Sequence, residues 1–455
     1  MAQVSDRTLY LAVIGLVVVT VGLFAAPLLL FGSSATGDPG SQSVPANPGP
    51  ANPGPADPGP ANTGPANPGP ANPGTAGMPP SFVAPGARLT WYAAGASVAG
   101  SRYSWVEEPC TGQNWSDPKT GKCYRRTDES GEGQPGASGD GLSQLDIVAV
   151  EGANAVLASN LYTFFRENNT LIWTPLGGGS VNAVNVDGAW VNPAELAQLV
   201  QTGLGDMLVL RGTYRAGMNS YEAVSFVNGL GTSSYSSYTY DLASGLLLSA
   251  NTSSGGVTSP IRAQGEDPPV GNTQLTLARF AGYRQRNVPG LNAPKPDWVA
   301  GTSQLTYQGT YNFTNPVDPT SANLTYPAQF AATFTGQGGS TWSPFTARTT
   351  VPQLGLDNSS ASVAGPNGAL WFDPQSLAAM SGGQVIDQDG LTGEQVSVVG
   401  VGPGAQGQPT VTIENRVPGN LLRSTYDQQS GMLLGFDLQQ ASAGTTISVQ
   451  LVDRR

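Results

Sequence analysis

A nine-residue pattern that occurs twice constrains the fold of this chain more than any other feature. It reads YDLASGLLL at 240–248 and YDQQSGMLL at 426–434. In each copy an aromatic strand end precedes an Asp that can accept hydrogen bonds from the following backbone, and a Gly that tolerates positive φ precedes a second apolar strand. Each copy therefore predicts a β-hairpin, and the recurrence indicates two related modules.

Other landmarks recur in the same order. WVNPAELA at 190–197 corresponds to WFDPQSLA at 371–378, and LTW at 89–91 corresponds to LTY at 305–307. In both Trp runs Asn or Asp precedes Pro, the pattern of a helix N-cap followed by proline at the first helical position. The last pair lies further apart, and an insertion at about 106–140 accounts for the difference. Short matches can arise by chance, but their shared order favours duplication.

The amino-terminal segment is typical of a membrane anchor. Residues 9–31 contain no charge, and about 23 residues at 1.5 Å each reach roughly 34 Å, enough to cross a hydrocarbon core of about 30 Å. A cleaved signal peptide has a shorter apolar region, so a retained single-pass transmembrane helix is favoured. Positive charge lies on the short side, at Arg7, which predicts residues 1–8 in the cytoplasm and the bulk of the chain outside the cell membrane.

Residues 32–86 are predicted to form a disordered spacer. They include consecutive five-residue repeats of the type PANPG. A period of five excludes a collagen triple helix, which needs glycine at every third place. Frequent proline favours stretches of polyproline II, so the spacer is semi-stiff and holds the folded part clear of the membrane. A role as the ligand of a proline-recognition domain is the less favoured alternative, because such domains are mostly cytosolic.

Strand signals dominate from residue 87 onward. In LTYQGTYNF at 305–313, for example, apolar and polar residues alternate with a period of two, which gives one buried and one solvated face. We therefore predict an all-β chain with two related antiparallel modules, each a sandwich or a curved half-barrel. Their expected bounds are 87–265 and 299–455, with 266–298 as the connecting segment.

Composition excludes several functions. The chain has 20 basic and 31 acidic residues and a net charge of −11, which argues against nucleic-acid binding. It has no histidine, so the commonest general base and metal ligand are missing, and we expect neither an enzyme nor a cofactor. Because zinc needs about four ligands, Cys110 and Cys123 are expected to form a disulfide in an oxidising space.

Two kinds of candidate site remain. Asp387, Asp389 and Glu394 could bind calcium, which takes hard oxygen ligands, although their spacing does not match an EF-hand and a solvated turn is the simpler interpretation. The chain also has six Asn-X-Ser/Thr triplets, about as many as its composition alone would give. These candidate glycosylation sites are Asn114, Asn168, Asn251, Asn312, Asn323 and Asn358.

The favoured function is that of a membrane-anchored, extracytoplasmic cell-surface or envelope protein with a structural or interaction role, whose partners are envelope proteins, glycans or copies of itself. One alternative is a binding module for a lipid or other apolar ligand, held in a strongly curved sheet with a short helix across its mouth. Another is a hydrolase of cell-wall glycan, which needs two carboxylates roughly 5 to 10 Å apart. A filled sheet interior would favour the first function, and an open apolar cavity would favour the second.

Overall fold

The computed structural model describes residues 78–94, 101–110, 115–116, 123–128, 140–165, 170–186, 188–203, 207–216, 219–228, 235–254, 273–314, 323–366, 368–441 and 444–455. The expected anchor and most of the expected spacer lie outside these residues, so both stay predictions. Within the described ranges, no helix has the length and apolar character needed to cross a membrane.

The described chain is all-β, as predicted, with two antiparallel sheets and few helices. Its strands are β1 Ala87–Ala94, β2 Ser101–Glu108, β3 Trp115–Ser116, β4 Cys123–Asp128, β5 Asp140–Glu151, β6 Asn154–Phe165, β7 Thr170–Asn182, β8 Leu208–Ala216, β9 Asn219–Asn228, β10 Tyr235–Asp241, β11 Leu247–Ser254, β12 Thr273–Gln285, β13 Gln304–Phe313, β14 Leu324–Phe334, β15 Ser343–Val351, β16 Leu356–Ala364, β17 Val385–Asp389, β18 Glu394–Pro403, β19 Pro409–Val417, β20 Asn420–Asp427, β21 Leu433–Gln440 and β22 Thr445–Arg454. The α-helices are α1 Pro193–Thr202 and α2 Pro374–Ala379, and short 3₁₀ helices lie at Asp297–Val299 and Pro352–Leu354.

The two sheets share one strand order. Sheet 1 runs β7-β6-β5-β1-β12-β11-β10-β9-β8, and sheet 2 runs β16-β15-β14-β13-β22-β21-β20-β19-β18-β17. The strand at the start of each order is followed in the chain by a helix. Helix α1 follows β7, and helix α2 follows β16. Sheet 2 adds the edge strand β17. Sheet 1 adds β2, β3 and β4, which overlap the expected insertion and carry the predicted Cys110–Cys123 disulfide.

Strand β12 lies where the sequence analysis placed the connecting segment 266–298. It pairs with β1 and β11 and is an integral strand of sheet 1. The expected boundary was therefore too early, because the prolines at 268–269 and 289 flank this strand and imitate a linker. The segment that connects the two sheets runs from the end of β12 to the start of β13 and is shorter than the predicted segment 266–298.

The two recurring hairpins form, and they make the same hydrogen bonds. Asp241 Oδ2 accepts bonds from Ser244 N at 2.9 Å and Ser244 Oγ at 2.5 Å. Asp427 Oδ2 accepts the equivalent bonds from Ser430 N at 3.3 Å and Ser430 Oγ at 2.5 Å. The Asp in each copy therefore fixes the turn through the Ser three residues later, as Asx-turn chemistry requires.

The two predicted helix starts are also confirmed. Asn192 Oδ1 accepts a bond from Ala194 N at 2.9 Å, and Asp373 Oδ2 accepts one from Ser376 N at 2.9 Å. Both helices have proline in the first turn, where its missing N–H removes no helical bond. Each helix thereby starts directly after a short bridge that ties its preceding Trp to a hairpin, Trp190 to Leu246 and Trp371 to Met432.

Sheet 2 has a core of its own. Ala364 on the first strand of its order and Ile386 on the last belong to one cluster of buried side chains. Leu377 of α2 belongs to the same cluster, so the helix packs against this core. Sheet 1 has a separate core that includes Leu196 of α1.

Candidate functional site

The two sheets meet along β7 and β16, where glycines allow close approach. A Cβ atom on Gly177 would lie 2.6 Å from the carbonyl oxygen of Ala361, and one on Gly178 would lie 2.8 Å from Val363 Cγ2. Neither distance leaves room for a side chain, so these two positions set how closely the strands can pack. Next to this contact the sheets enclose a charged cluster and a cavity.

A row of charged residues on sheet 1 faces sheet 2. On β1, Arg88 lies opposite Asp146 of β5 on one side and Arg284 of β12 on the other. Arg88 Nε donates to Asp146 Oδ1 at 2.6 Å and Arg88 Nη2 donates to Asp146 Oδ2 at 2.9 Å, a bidentate pair. Arg286 Nη1 donates to Asp146 Oδ2 at 3.0 Å. The arginines thereby present further donors to the second sheet.

The β17–β18 hairpin of sheet 2 supplies the opposing carboxylates. Arg88 Nη1 donates to Asp389 Oδ2 at 3.1 Å and also to Glu394 Oε2. Arg284 Nη1 and Nη2 donate to Asp387 Oδ1 at 2.9 Å and Oδ2 at 2.7 Å. The cluster therefore joins the modules by ion pairs between groups about 100 to 306 residues apart in the chain.

Most of this cluster is withdrawn from water. Arg88 is 2% exposed, Asp389 1% and Glu394 3%. Burial by itself raises the pKa of Asp146, but Arg286 and Arg88 outweigh it and lower that pKa to about 2. Burial opposes ionisation of Asp389 in the same way, and Arg88 and Arg284 hold its pKa below the usual range. These carboxylates are therefore ionised at neutral pH and depend on their arginine partners.

The three residues considered for calcium, Asp387, Asp389 and Glu394, do come together. Each accepts a hydrogen bond from an arginine of sheet 1. Among the described residues, no group of three or more His, Cys, Asp or Glu side chains is arranged to hold a metal ion. The partners of these carboxylates in the structure are thus guanidinium groups, and the calcium interpretation stays a prediction.

The cavity is lined largely by sheet 2 and has a volume of about 320 Å³. Its wall from sheet 2 is mostly apolar and includes Phe330, Phe345, Ala347, Val396, Ile413, Leu422, Leu433, Phe436 and Leu438. Sheet 1 covers part of the open side with residues of β6 and β7, namely Ala158, Ser159, Asn160, Tyr162, Trp173 and Gly177. The space is therefore bounded by both modules.

One end of the cavity is polar and borders the charged cluster. Arg88, Asp146, Arg286 and Glu394 line this end, and the amide side chains of Asn415 and Gln440 also line the cavity. Asn415 Nδ2 donates to Glu394 Oε1 at 2.7 Å, and Gln440 Nε2 donates to the carbonyl oxygen of Trp173 at 3.1 Å. The cavity is thus amphipathic, with an apolar body and a hydrogen-bonding end.

The sequence analysis named the three carboxylates of sheet 2 in this cluster and missed Asp146 and the arginines of sheet 1. Arg88 and Asp146 are single charges within apolar strands, RLTW and LDIVAV. A charge at such a position has to find a partner when the strand is buried, and that was the available signal. What the sequence could not show is that the partners lie on the other module.

The candidate glycosylation sites are scattered over the chain. Asn114 and Asn168 lie outside the described residues. Asn251, Asn312 and Asn358 lie on strands β11, β13 and β16, and Asn323 precedes β14. Asn323 is exposed, and its Oδ1 accepts a bond from Thr314 at 2.8 Å. The four described positions neither line the cavity nor belong to the charged cluster.

The arrangement is suited to binding. The carboxylates of the cluster are already paired with guanidinium groups, whereas glycoside hydrolysis uses two carboxylates that can act on a substrate and a water molecule. The cavity instead offers apolar surface with a small number of polar groups, as small-molecule binding sites do. A scan against protein-family models and a search of the curated proteins found no match to this chain, so the cluster and the cavity carry the functional inference.

Proposed function

We propose that this protein binds a lipid or another chain-like apolar molecule in the cavity of sheet 2. The observation that carries the proposal is a cavity of about 320 Å³ whose wall from sheet 2 is mostly apolar. Ligand cavities occupy roughly 300 to 1,000 Å³ and combine apolar walls with a few polar groups. The structural or interaction role that the sequence favoured stays a hypothesis, since no specific contact supports it.

We infer further that the modules are two copies of one curved half-barrel. Their common strand order supports this, as do irregularities at equivalent places. The register with the neighbouring strand shifts between Thr90 and Trp91 in one module and between Thr306 and Tyr307 in the other. Trp91 Nε1 donates to Leu247 O, and Tyr307 Oη donates to Leu433 O, within the two recurring hairpins.

The expected location agrees with such a function. A membrane helix at 9–31 and a spacer at 32–86 would hold the modules outside the cell, within reach of the lipids of the envelope. In that setting the protein would keep an apolar molecule out of water near the membrane. Both the anchor and the extracytoplasmic location belong to the proposal.

Photolabelling tests the proposal directly. The full chain is placed in lipid vesicles with an alkyl probe that carries a diazirine, and the labelled peptides are mapped by mass spectrometry. We expect labels in the peptides that contain Phe345 and Phe436, two residues of the cavity wall. Labels confined to residues 9–31, or spread evenly over exposed strands, would contradict a binding role for the cavity.

A variant that fills the space provides the control. Ala347 lines the cavity, so Ala347→Phe should lower labelling of the wall peptides several-fold while circular dichroism shows an intact fold. Val401 is 47% exposed on β18, and Val401→Phe adds the same ring outside the cavity. Labelling in this second variant should match that of the unmodified protein.

A further inference from the structure

We infer that the ligand of this cavity ends in a hydrogen-bond donor that carries no negative charge, such as a hydroxyl group, in preference to a carboxylate, phosphate or sulfate. The inference rests on the proposed function and names the chemical class of the ligand. It is drawn from the charges at the polar end of the cavity and from two amide oxygens among the residues that line it.

The charges next to the cavity leave no place for an anion. The cluster consists of Arg88, Arg284 and Arg286 with Asp146, Asp387, Asp389 and Glu394. Three guanidinium groups thus face four carboxylates, and the ionised cluster has one negative charge in excess. An anionic head group would add a second excess charge in a region of low dielectric, where like charges repel strongly.

The cations that line the cavity are already engaged. Among the described lining residues these are Arg88 and Arg286. Arg88 makes a bidentate pair with Asp146, and Arg286 Nη1 lies 3.0 Å from an oxygen of the same carboxylate. Arg286 Nε has no hydrogen-bond partner in the described chain, but it lies 3.8 Å from an oxygen of Asp387, so its charge is balanced as well. A site for a fatty acid or a phospholipid would need a cation whose charge is not already balanced by carboxylates, and the described part of this cavity offers none.

Two amide oxygens that line the cavity, in contrast, are hydrogen-bond acceptors without a donor among the described residues. Within the described chain, Asn415 Oδ1 and Gln440 Oε1 have no hydrogen-bond partner, and Gln440 is only 3% exposed. Both residues line the cavity. Their orientation is fixed, because turning either amide would bring its oxygen against Glu394 Oε1 or the carbonyl oxygen of Trp173. A ligand hydroxyl can donate to these acceptors, and an anion cannot.

Neutral hydrogen-bonding groups also line the cavity. Ser159 and Asn160 belong to sheet 1, and Ser362 and Ser424 belong to sheet 2. Hydroxyl groups both donate and accept, so they suit a polyol or an alcohol end in several orientations. A long-chain alcohol or a monoacylglycerol combines such an end with an apolar chain for the wall.

Competition among ligands of equal chain length tests the inference. The photolabelling of cavity peptides is repeated while hexadecanol, hexadecyl sulfate or hexadecylamine is titrated over the same range of mole fractions in the vesicles. We expect hexadecanol to protect the wall peptides at about tenfold lower mole fraction than the sulfate, because its hydroxyl can donate to an amide oxygen and the sulfate cannot. Hexadecylamine, whose ammonium group also donates, should protect better than the sulfate too. Protection by the sulfate that equals or exceeds protection by the alcohol would overturn the inference and leave the proposed function standing. If the wall peptides are not labelled at all, the proposed function itself fails.

A matched pair of variants assigns the effect to Gln440. Gln440→Leu removes the amide oxygen, so the advantage of hexadecanol over hexadecyl sulfate should fall several-fold. Gln439 is the exposed neighbour on the same strand, and Gln439→Leu should leave the advantage unchanged. An undiminished advantage in Gln440→Leu would show that this oxygen does not select the ligand. The comparison of the three ligands on the unmodified protein remains decisive should Gln440→Leu fail to fold.

Discussion

At the scale of single residues, Arg88 makes ion pairs with carboxylates of both sheets at their interface. Its guanidinium group contacts Asp146 of its own sheet and Asp389 and Glu394 of the other, and it is 2% exposed. A buried ion pair contributes little net stability compared with an apolar pair, since both charges lose their hydration. Removing one partner is costly, however, because the others keep their charge without compensation.

Arg88→Met should therefore destabilise the folded chain by about 3 to 5 kcal/mol. Chemical unfolding followed by circular dichroism measures the change. Arg348 supplies the matched control, because it pairs with Asp357 at 2.5 Å while both side chains are more than half exposed. Arg348→Met should lower the free energy of unfolding far less than Arg88→Met does, because water screens an exposed ion pair. Similar losses in both variants would contradict the special position of Arg88.

The same cluster should make stability depend on acid. The pKa of Asp146 is about 2 in the folded chain, below its usual value of 3.8, because Arg286 and Arg88 outweigh the effect of burial. A depressed pKa stabilises the folded state above about pH 4, and this contribution of about 2 kcal/mol is lost as the pH falls through 2. The lowered pKa values of Asp387 and Asp389 act in the same direction.

Unfolding free energies measured between pH 7 and pH 2 check this prediction. The unmodified protein should lose stability steadily below about pH 4. In Asp146→Asn the loss should be smaller by about 2 kcal/mol, while the stability at neutral pH starts lower. A profile of Asp146→Asn that parallels the original over this whole range would show that Asp146 does not titrate as described.

At the scale of elements, the recurring hairpins depend on a glycine for two reasons. Gly431 has φ 72°, and a Cβ atom there would lie 2.1 Å from the carbonyl oxygen of Phe372. Gly245 has φ 74° and would meet Val191 O at 1.7 Å. The glycine thus permits both the turn and the bridge from the hairpin to the segment before the helix, which places each helix on its sheet.

Gly431→Ala should consequently lower the free energy of unfolding by more than the strain of a left-handed backbone alone would. Gly355 has φ 64° with open space around it, so Gly355→Ala should cost about 1 kcal/mol. Gly431→Ala should cost at least about 2 kcal/mol more, because Phe372 has to move as well. Thermal unfolding of the two variants under identical conditions provides the comparison, and equal melting temperatures would contradict it.

The elements were predictable from the sequence where their signals are local. Hairpins, N-caps and the alternation of strands depend on neighbouring residues, and these predictions are confirmed. Strand β12 was assigned to a connecting segment, because proline flanks obscured a strand whose partners β1 and β11 lie elsewhere in the chain. The charged cluster depends on contacts such as Arg88 with Asp389, separated by 301 residues, and no local pattern reports these.

At the scale of the whole molecule, the two sheets should unfold together as long as β7 and β16 stay in contact. Gly177→Ala would place a methyl group 2.6 Å from Ala361 O and push the strands apart. We expect one cooperative unfolding transition in the unmodified protein and two in this variant, as seen by calorimetry.

Two glycines make the test specific. Gly179 lies on the same strand with nothing within 4 Å of its Cβ position, and Gly152 combines φ 63° with equally open surroundings. Gly179→Ala controls for the added methyl group, and Gly152→Ala controls for the positive φ. Both should keep a single transition, and a second transition in either would remove the link to the interface.

The cavity has one consequence for the molecule as a whole, because its lining comes from both halves of the chain. Its full lining exists only while Trp173 and Gly177 of sheet 1 lie against Phe345 and Phe436 of sheet 2. Occupancy and docking are then linked equilibria: whatever fills the space draws the halves together by mass action, and whatever separates them releases the contents. Such a protein would carry its cargo for as long as its two halves remain associated.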